Sequence, residues 1–184
     1  MKEALLIIDV QNDYFVNGKY PLHEPIAVLK NINALEHYFL NQNLPIIYIQ
    51  HINNAPNATF FLKNSLGSQL HKGLLLKNNS TIIIKEFPNS FLHTNLLTTL
   101  TELSVKRLVI TGMMTHMCID TTTRAAKDLG FDNILIHDAT TTRELEFNHK
   151  KIAVDDVQHS YLAALTKFAD IHSTEAYLST YKQV

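Results

Sequence analysis

The chain contains one cysteine, Cys118, and its position marks it as a candidate nucleophile. It lies in LVITGMMTHMCIDTTTRAAKDLG, residues 108–130, where an apolar run (Leu108, Val109, Ile110) ends at Gly112 and a helix-like segment closes at Gly130. A helix N-terminus carries partial positive charge and free backbone N–H groups, which favour thiolate over thiol. Two more reactive groups end apolar runs in the same way: Asp9 follows residues 4–8 and Lys85 follows residues 81–84. A carboxylate can take the thiol proton, an ammonium can hold the thiolate, and the thiolate can attack a carbonyl, which together make an acyl transfer. Singly, each residue has an ordinary explanation. Free cysteines are mostly buried and inert, aspartates shape turns, and a lysine ending a strand commonly guards a sheet edge. The coincidence of all three at strand ends is what favours catalysis.

Whether they meet depends on the elements that carry them. Residues 4–8, 46–49, 81–84, 107–111 and 133–137 are short apolar runs of the kind found in strands buried on both faces. Between them, residues 26–40 repeat apolar positions at helical spacing (Ile26, Leu29, Ile32, Leu35, Phe39), and 94–103 and the segment from Cys118 to Gly130 are also read as helices. Residues 148–166 are expected to be helical, 168–171 to form a short sixth strand, and 174–181 a closing helix. Residues 53–77, rich in Asn and without period, are an excursion. Strands alternating with helices imply an α/β fold in three layers (α/β/α), with a Rossmann-like open sheet of about six mainly parallel strands. Ligands of such sheets bind at the carboxyl ends of the strands, near a topological switch point. Asp9, Lys85 and Cys118 are all expected at that edge.

With 184 residues, 46% of them hydrophobic and 18% charged, one domain spanning 1–184 is expected, large enough for a proper core. A net charge of −1 provides no bulk attraction for nucleic acid or an anionic membrane, so neither is an expected partner. One cysteine cannot form an intrachain disulfide, which suits a reducing compartment. Asp9 interrupts the N-terminal apolar run, and no run approaches the roughly 20 apolar residues of a membrane span. The cytoplasm is the expected location.

Three motifs carry a family resemblance: Asp9-Val10-Gln11-Asn12-Asp13, Lys85 with Pro88-Asn89-Ser90-Phe91, and Gly112-Met113-Met114-Thr115-His116-Met117-Cys118. They resemble the isochorismatase-like cysteine hydrolases, which include nicotinamidases and related amidases. Asp138-Ala139-Thr140 and Leu145-Glu146-Phe147 are similar to that superfamily as well. The resemblance implies an Asp9–Lys85–Cys118 triad and a cis peptide between Met113 and Met114. It also implies an oxyanion hole made by the Met114 and Cys118 N–H groups, with Thr115 bracing the loop through a side-chain hydrogen bond. The implied activity is hydrolysis of a C–N bond of a small molecule through a thioester. Residues beside the motifs are candidates for substrate binding: Phe15, Phe87 and Phe91 for an apolar slot, Asn12 and Asn89 for a polar group, together with Gln11, Met113 and Thr115. The family is commonly dimeric or tetrameric, so a homo-oligomer is expected.

One departure separates this chain from the nicotinamidases, whose metal site is built on an Asp-x-His element after the second strand. Here that place reads Ile49-Gln50-His51-Ile52-Asn53, and His51 and His71 alone are too few for a site. No metal and no other cofactor is expected, and His51 is read as a structural or pocket residue. Isochorismatases proper cleave a vinyl ether without a cysteine nucleophile, so Cys118 favours C–N hydrolysis. Vinyl-ether or other non-amide hydrolysis by Asp9 and Lys85 is one alternative, and a non-catalytic binding protein on the same fold is the other.

Overall fold

Strand β1 (Glu3–Ile8) runs through the centre of the molecule, and every one of its residues is buried. The computed structural model describes residues 1–181, so the last three residues of the expected 1–184 domain lie outside the described residues. Side chains alternate across a strand, and β1 shows the consequence. Leu5 and Ile7 enter an apolar cluster on one face, while Ala4, Leu6 and Ile8 enter another on the opposite face. A strand covered on both sides has no polar face, which is why residues 4–8 are continuously apolar.

Around β1 lie β2 (Ile46–His51), β3 (Thr81–Lys85), β4 (Arg107–Met113), β5 (Asp132–Thr141) and, after a hairpin described below, β8 (Asp170–His172). The sheet order is β3-β2-β1-β4-β5-β8, and every pairing is parallel. Helix α1 (Pro25–Asn41) and α5 (Thr174–Tyr181) cover the first face through Ile32, Leu35, Phe39 and Tyr177. Helices α2 (Leu96–Glu102), α3 (Asp120–Asp128) and α4 (Val154–Leu165) cover the second through Leu96, Leu100, Ala126 and Leu165. This is the expected three-layer α/β/α arrangement. Among the described residues, no helix is long and apolar enough to cross a membrane.

The chain builds outward from β1 to β3, then returns to the other side of β1 with β4. The switch point is therefore the gap between β1 and β4. Gly112 marks it: its φ is +120°, and a Cβ there would lie 2.0 Å from the Ile8 carbonyl oxygen. Only glycine lets β4 pass so close to β1.

Three local readings need correction. Residues 148–166 do not form one helix. Leu145–Phe147 (β6) and Lys150–Ile152 (β7) pair as an antiparallel hairpin, and the helix begins at Val154. Asn148 and His149 turn the hairpin with φ of 50° and 59°, the left-handed region that Asn tolerates. Cys118 does not open an α-helix; it lies in a π-helical turn, Thr115–Ile119, ahead of α3. The sixth strand of the central sheet starts two residues later than expected, at Asp170.

The excursion after β2 folds back over the sheet edge. Its backbone is tied to the segment following β1 by His71 N–H to Val10 O (2.8 Å), Asn12 N–H to Gln69 O (3.0 Å) and Asp13 N–H to Gly67 O (2.9 Å). The buried Asp13 carboxylate accepts from the Phe61 and Lys19 backbone N–H groups (2.7 and 3.1 Å). A Cβ on Gly67 would fall 2.1 Å from an Asp13 oxygen, so the loop packs against this carboxylate with no room for a side chain.

Candidate active site

The parallel register brings the reactive groups together. His51 and Lys85 are the last residues of β2 and β3 and stand opposite each other. Each lies two positions beyond a residue of the second-face cluster, Ile49 and Ile83, and so points to the same layer. Asp9 follows β1 with φ 54°, its N–H donating to the Ile49 carbonyl at 3.1 Å. Cys118 reaches the group from beyond β4 and belongs to the same cluster.

Lys85 Nζ lies 2.9 Å from Asp9 Oδ2 and donates to the Pro88 carbonyl at 3.0 Å. His51 Nδ1 is 3.7 Å from Asp9 Oδ2 and 3.9 Å from Cys118 Sγ. Ligand-type atoms of Asp9, His51 and Cys118 lie within 4.8 Å of one another. Asp9, Lys85 and Cys118 are 0%, 1% and 3% exposed. The His51 side chain, 14% exposed, is the member that reaches solvent.

Protonation follows from burial and neighbours. Burial alone would raise the Asp9 carboxyl, but the Lys85 ammonium and His51 more than offset it and hold the group below its ordinary range. Burial opposes the charge on Lys85 too, and the adjacent Asp9 carboxylate outweighs it, so the ammonium is held more firmly than usual. Burial and then the Asp9 charge push the Cys118 thiol well up, with Lys85 offsetting part of the rise. The resting cluster is thus a carboxylate, an ammonium and a neutral thiol. This corrects the expectation of a thiolate at a helix start: Cys118 is sealed, and an anion stands beside it.

The Met113–Met114 peptide is cis. Both side chains are buried in the first-face core. The Met114 carbonyl accepts from the Met117 and Ile119 N–H groups at 3.0 and 3.2 Å, which curls the chain toward Cys118. Thr115 is fully buried, but its hydroxyl has no hydrogen-bond partner among the described residues, so it does not brace this loop. A side-chain tie comes instead from the next residue, His116, whose Nδ1 meets the Thr142 hydroxyl.

The other candidate residues separate. Gln11 spends its whole amide on the fold: Nε2 donates to the His51 and Ser68 carbonyls (both 2.8 Å) and Oε1 accepts from His51 N–H (2.7 Å). It clamps the end of β2 rather than offering a free polar group. Asn12 donates to the Leu66 carbonyl, and Asn89 Oδ1 accepts from the Phe91 N–H, shaping the turn after β3. Phe91 stacks on Phe131 in the second-face core, whereas Phe15 is buried in the first-face core and stacks on His71 with ring centroids 3.9 Å apart. The two do not line one slot. Phe87 is 42% exposed beside His93. Asn12, Phe15 and His71 border a cavity of about 570 Å³ that none of the reactive groups lines.

His51, expected only as a structural or pocket residue, stands with Asp9 and Cys118 in the cluster. Its signal was positional: it ends β2 as Lys85 ends β3. A metal set of the Asp-x-His kind does not fit these residues. Ile49 is core, Gln50 donates to the Ser68 carbonyl, and His71 accepts from Gly73 N–H against Phe15. The Asp9 carboxylate already faces an ammonium.

Fold and site together define a three-layer α/β protein with an acid–base cluster at its switch point. The chain belongs to the isochorismatase family, a family of hydrolases: the model of the isochorismatase domain matches residues 3–170. An uncharacterised isochorismatase family protein of Bacillus subtilis (strain 168), YddQ, is 40% identical over 179 residues, covering 97% of this chain and 99% of its own length. A crystal structure from Oleispira antarctica, described as an isochorismatase hydrolase, superposes with a TM-score of 0.92 at 36% identity, covering 97% of this chain and 96% of that one. Streptothricin hydrolase of Streptomyces noursei is 27% identical over 167 residues, 91% of this chain and 57% of its own.

Proposed function

We propose that the protein hydrolyses a C–N bond of amide type in a small molecule, through a thioester on Cys118. The observation that carries this reading is the convergence of Asp9, Lys85 and Cys118 at the switch point, a base, a cation and a nucleophile sealed together. Such a cluster has no use for its thiol in vinyl-ether cleavage. A relative named streptothricin hydrolase supports hydrolysis as the reaction class.

In the first half-reaction Asp9 takes the Cys118 proton as the sulfur attacks the carbonyl. Burial and the Asp9 charge push the Cys118 thiol up, which favours proton loss together with S–C bond formation. Lys85 stabilises the charge that develops on sulfur. The carbonyl π pair moves to oxygen, which the Met114 and Cys118 N–H groups receive; a single donor of this kind is typically worth about 10²–10³ in rate. Asp9 then protonates the departing nitrogen, leaving the thioester, which water hydrolyses. The family resemblance further supports a cytoplasmic homo-oligomer (dimer or tetramer).

The test is a panel of small amides and isochorismate, followed by ammonia or amine release and by pyruvate release. Nitrogen release that Cys118→Ala abolishes supports the reading. Pyruvate release that survives Cys118→Ala replaces it with the vinyl-ether reaction, and no turnover on either arm favours the binding protein.

A further inference from the structure

His51 is the member of the cluster that the acyl-transfer scheme above leaves unused. It is placed with care. Its backbone N–H and carbonyl are both held by the Gln11 amide, at 2.7 and 2.8 Å, so the end of β2 is fixed where the side chain leaves it. Its Nδ1 is turned inward, 3.9 Å from Cys118 Sγ and 3.7 Å from Asp9 Oδ2. The ring lies against Phe61 at 5.9 Å. The same side chain reaches solvent, which Asp9 and Lys85 do not.

Those facts divide the labour between the two half-reactions. Asp9 is dry and ion-paired at 2.9 Å with Lys85, so it is suited to a proton already inside the cluster, the one on Cys118. The second half-reaction needs a proton from a water that must come from outside. Imidazole is intrinsically a stronger base than carboxylate, and this one is partly exposed while its Nδ1 lies 3.9 Å from the sulfur. A separation of 3.9 Å from Sγ leaves the ring near any acyl group the sulfur carries.

We propose that His51 is a catalytic residue of the deacylation half-reaction, in which Nδ1 takes a proton from the water that attacks the Cys118 thioester. The inference rests on the acyl-transfer reading given above. As the water O–H bond breaks, its proton goes to Nδ1 and its oxygen bonds to the thioester carbonyl carbon. The carbonyl π pair moves onto oxygen. When that pair returns, the C–S bond breaks, its electrons stay on sulfur, and the imidazolium gives its proton to Sγ. Thiol and neutral imidazole are regenerated and a carboxylic acid leaves.

The probe is p-nitrophenyl acetate, which acylates thiols and reports each acylation as p-nitrophenolate. Wild type, Cys118→Ala, His51→Gln and His51→Ala are compared by stopped flow and by intact-protein mass. Cys118→Ala is expected to lose release above background. His51→Gln is expected to release about one equivalent at near the wild-type rate and then to turn over roughly 10²-fold more slowly, the scale of general base catalysis, with the acetyl group accumulating on Cys118. Added imidazole, after subtraction of its own ester hydrolysis measured with Cys118→Ala, is expected to restore steady turnover to His51→Ala and to clear the acetyl group from Cys118, which a merely structural role for the side chain would not allow. Wild-type turnover in His51→Gln, or slow turnover without an accumulating acetyl-enzyme, overturns the role of His51 while leaving the thioester reading in place. A Cys118→Ala variant as fast as wild type overturns the thioester reading and this inference with it.

Discussion

Lys85 Nζ stands 2.9 Å from Asp9 Oδ2, with both side chains sealed from solvent. Neither charge is stable there alone, so the pair is a structural commitment as well as a chemical one. Lys85→Met leaves a buried carboxylate uncompensated and is expected to cost about 3–5 kcal/mol of folding stability, read from urea unfolding. Asp9→Leu/Lys85→Met removes both charges and is expected to recover most of that loss while remaining inactive. A double variant as unstable as Lys85→Met would show that the pair's charge balance is not what the fold requires.

The same pair sets a pH dependence. Asp9 has its folded pKa below the ordinary 3.8, so its contribution is present above 3.8 and lost as pH falls through the depressed value. Lys85 has its folded pKa above the ordinary 10.5, so its contribution is present below 10.5 and lost as pH rises through the raised value. The stability difference between wild type and Asp9→Leu/Lys85→Met is therefore expected to be flat from about pH 5 to 9 and to change only beyond those limits. Unfolding free energies measured across pH check this. A slope centred near neutrality would contradict it.

Cys118 is expected to alkylate slowly at rest, because burial and the Asp9 charge keep the thiol protonated. Iodoacetamide at neutral pH should modify it more slowly than a free cysteine peptide. Asp9→Asn removes the anion and leaves the Lys85 cation, which lowers the thiol pKa, so this variant should alkylate faster than wild type despite losing its base. Equal rates would mean that access alone governs the thiol.

Much of this arrangement was readable in the sequence, and the gaps have physical reasons. Residues 4–8 announce a strand buried on both faces because no polar residue interrupts them, and Asp9 and Lys85 follow from counting to the strand ends. His51 is not legible as a cluster member because its place depends on standing beside Lys85, and strand register is not written in either segment alone. Phe91 follows Lys85 closely in sequence, yet the turn sends it to Phe131 across the second layer. Asn148 suits a helix start and a tight turn alike, and here it turns a hairpin. Cys118 follows a helical period that does not distinguish a π-turn from the α-helix after it.

Gly112 tests the geometry of the switch point. An alanine Cβ would sit 2.0 Å from the Ile8 carbonyl oxygen, at a φ of +120°. Gly112→Ala is expected to destabilise the fold by more than about 2 kcal/mol and to lower activity, since β4 must move away from β1 and carry the 113–118 segment with it. Thermal unfolding and turnover of the purified variant check both. A stable, fully active variant would show that β4 need not run so close to β1.

Turnover is expected to pass through an acyl group on Cys118. The most direct measurement is acid-quenched mass spectrometry of the wild-type protein during turnover of an amide from the panel, with peptide mapping of the adduct and hydroxylamine treatment. The acyl group of the substrate is expected on the peptide that carries Cys118, removed by hydroxylamine as a thioester would be. Turnover without an adduct on that peptide, and undiminished in Cys118→Ala, would contradict it.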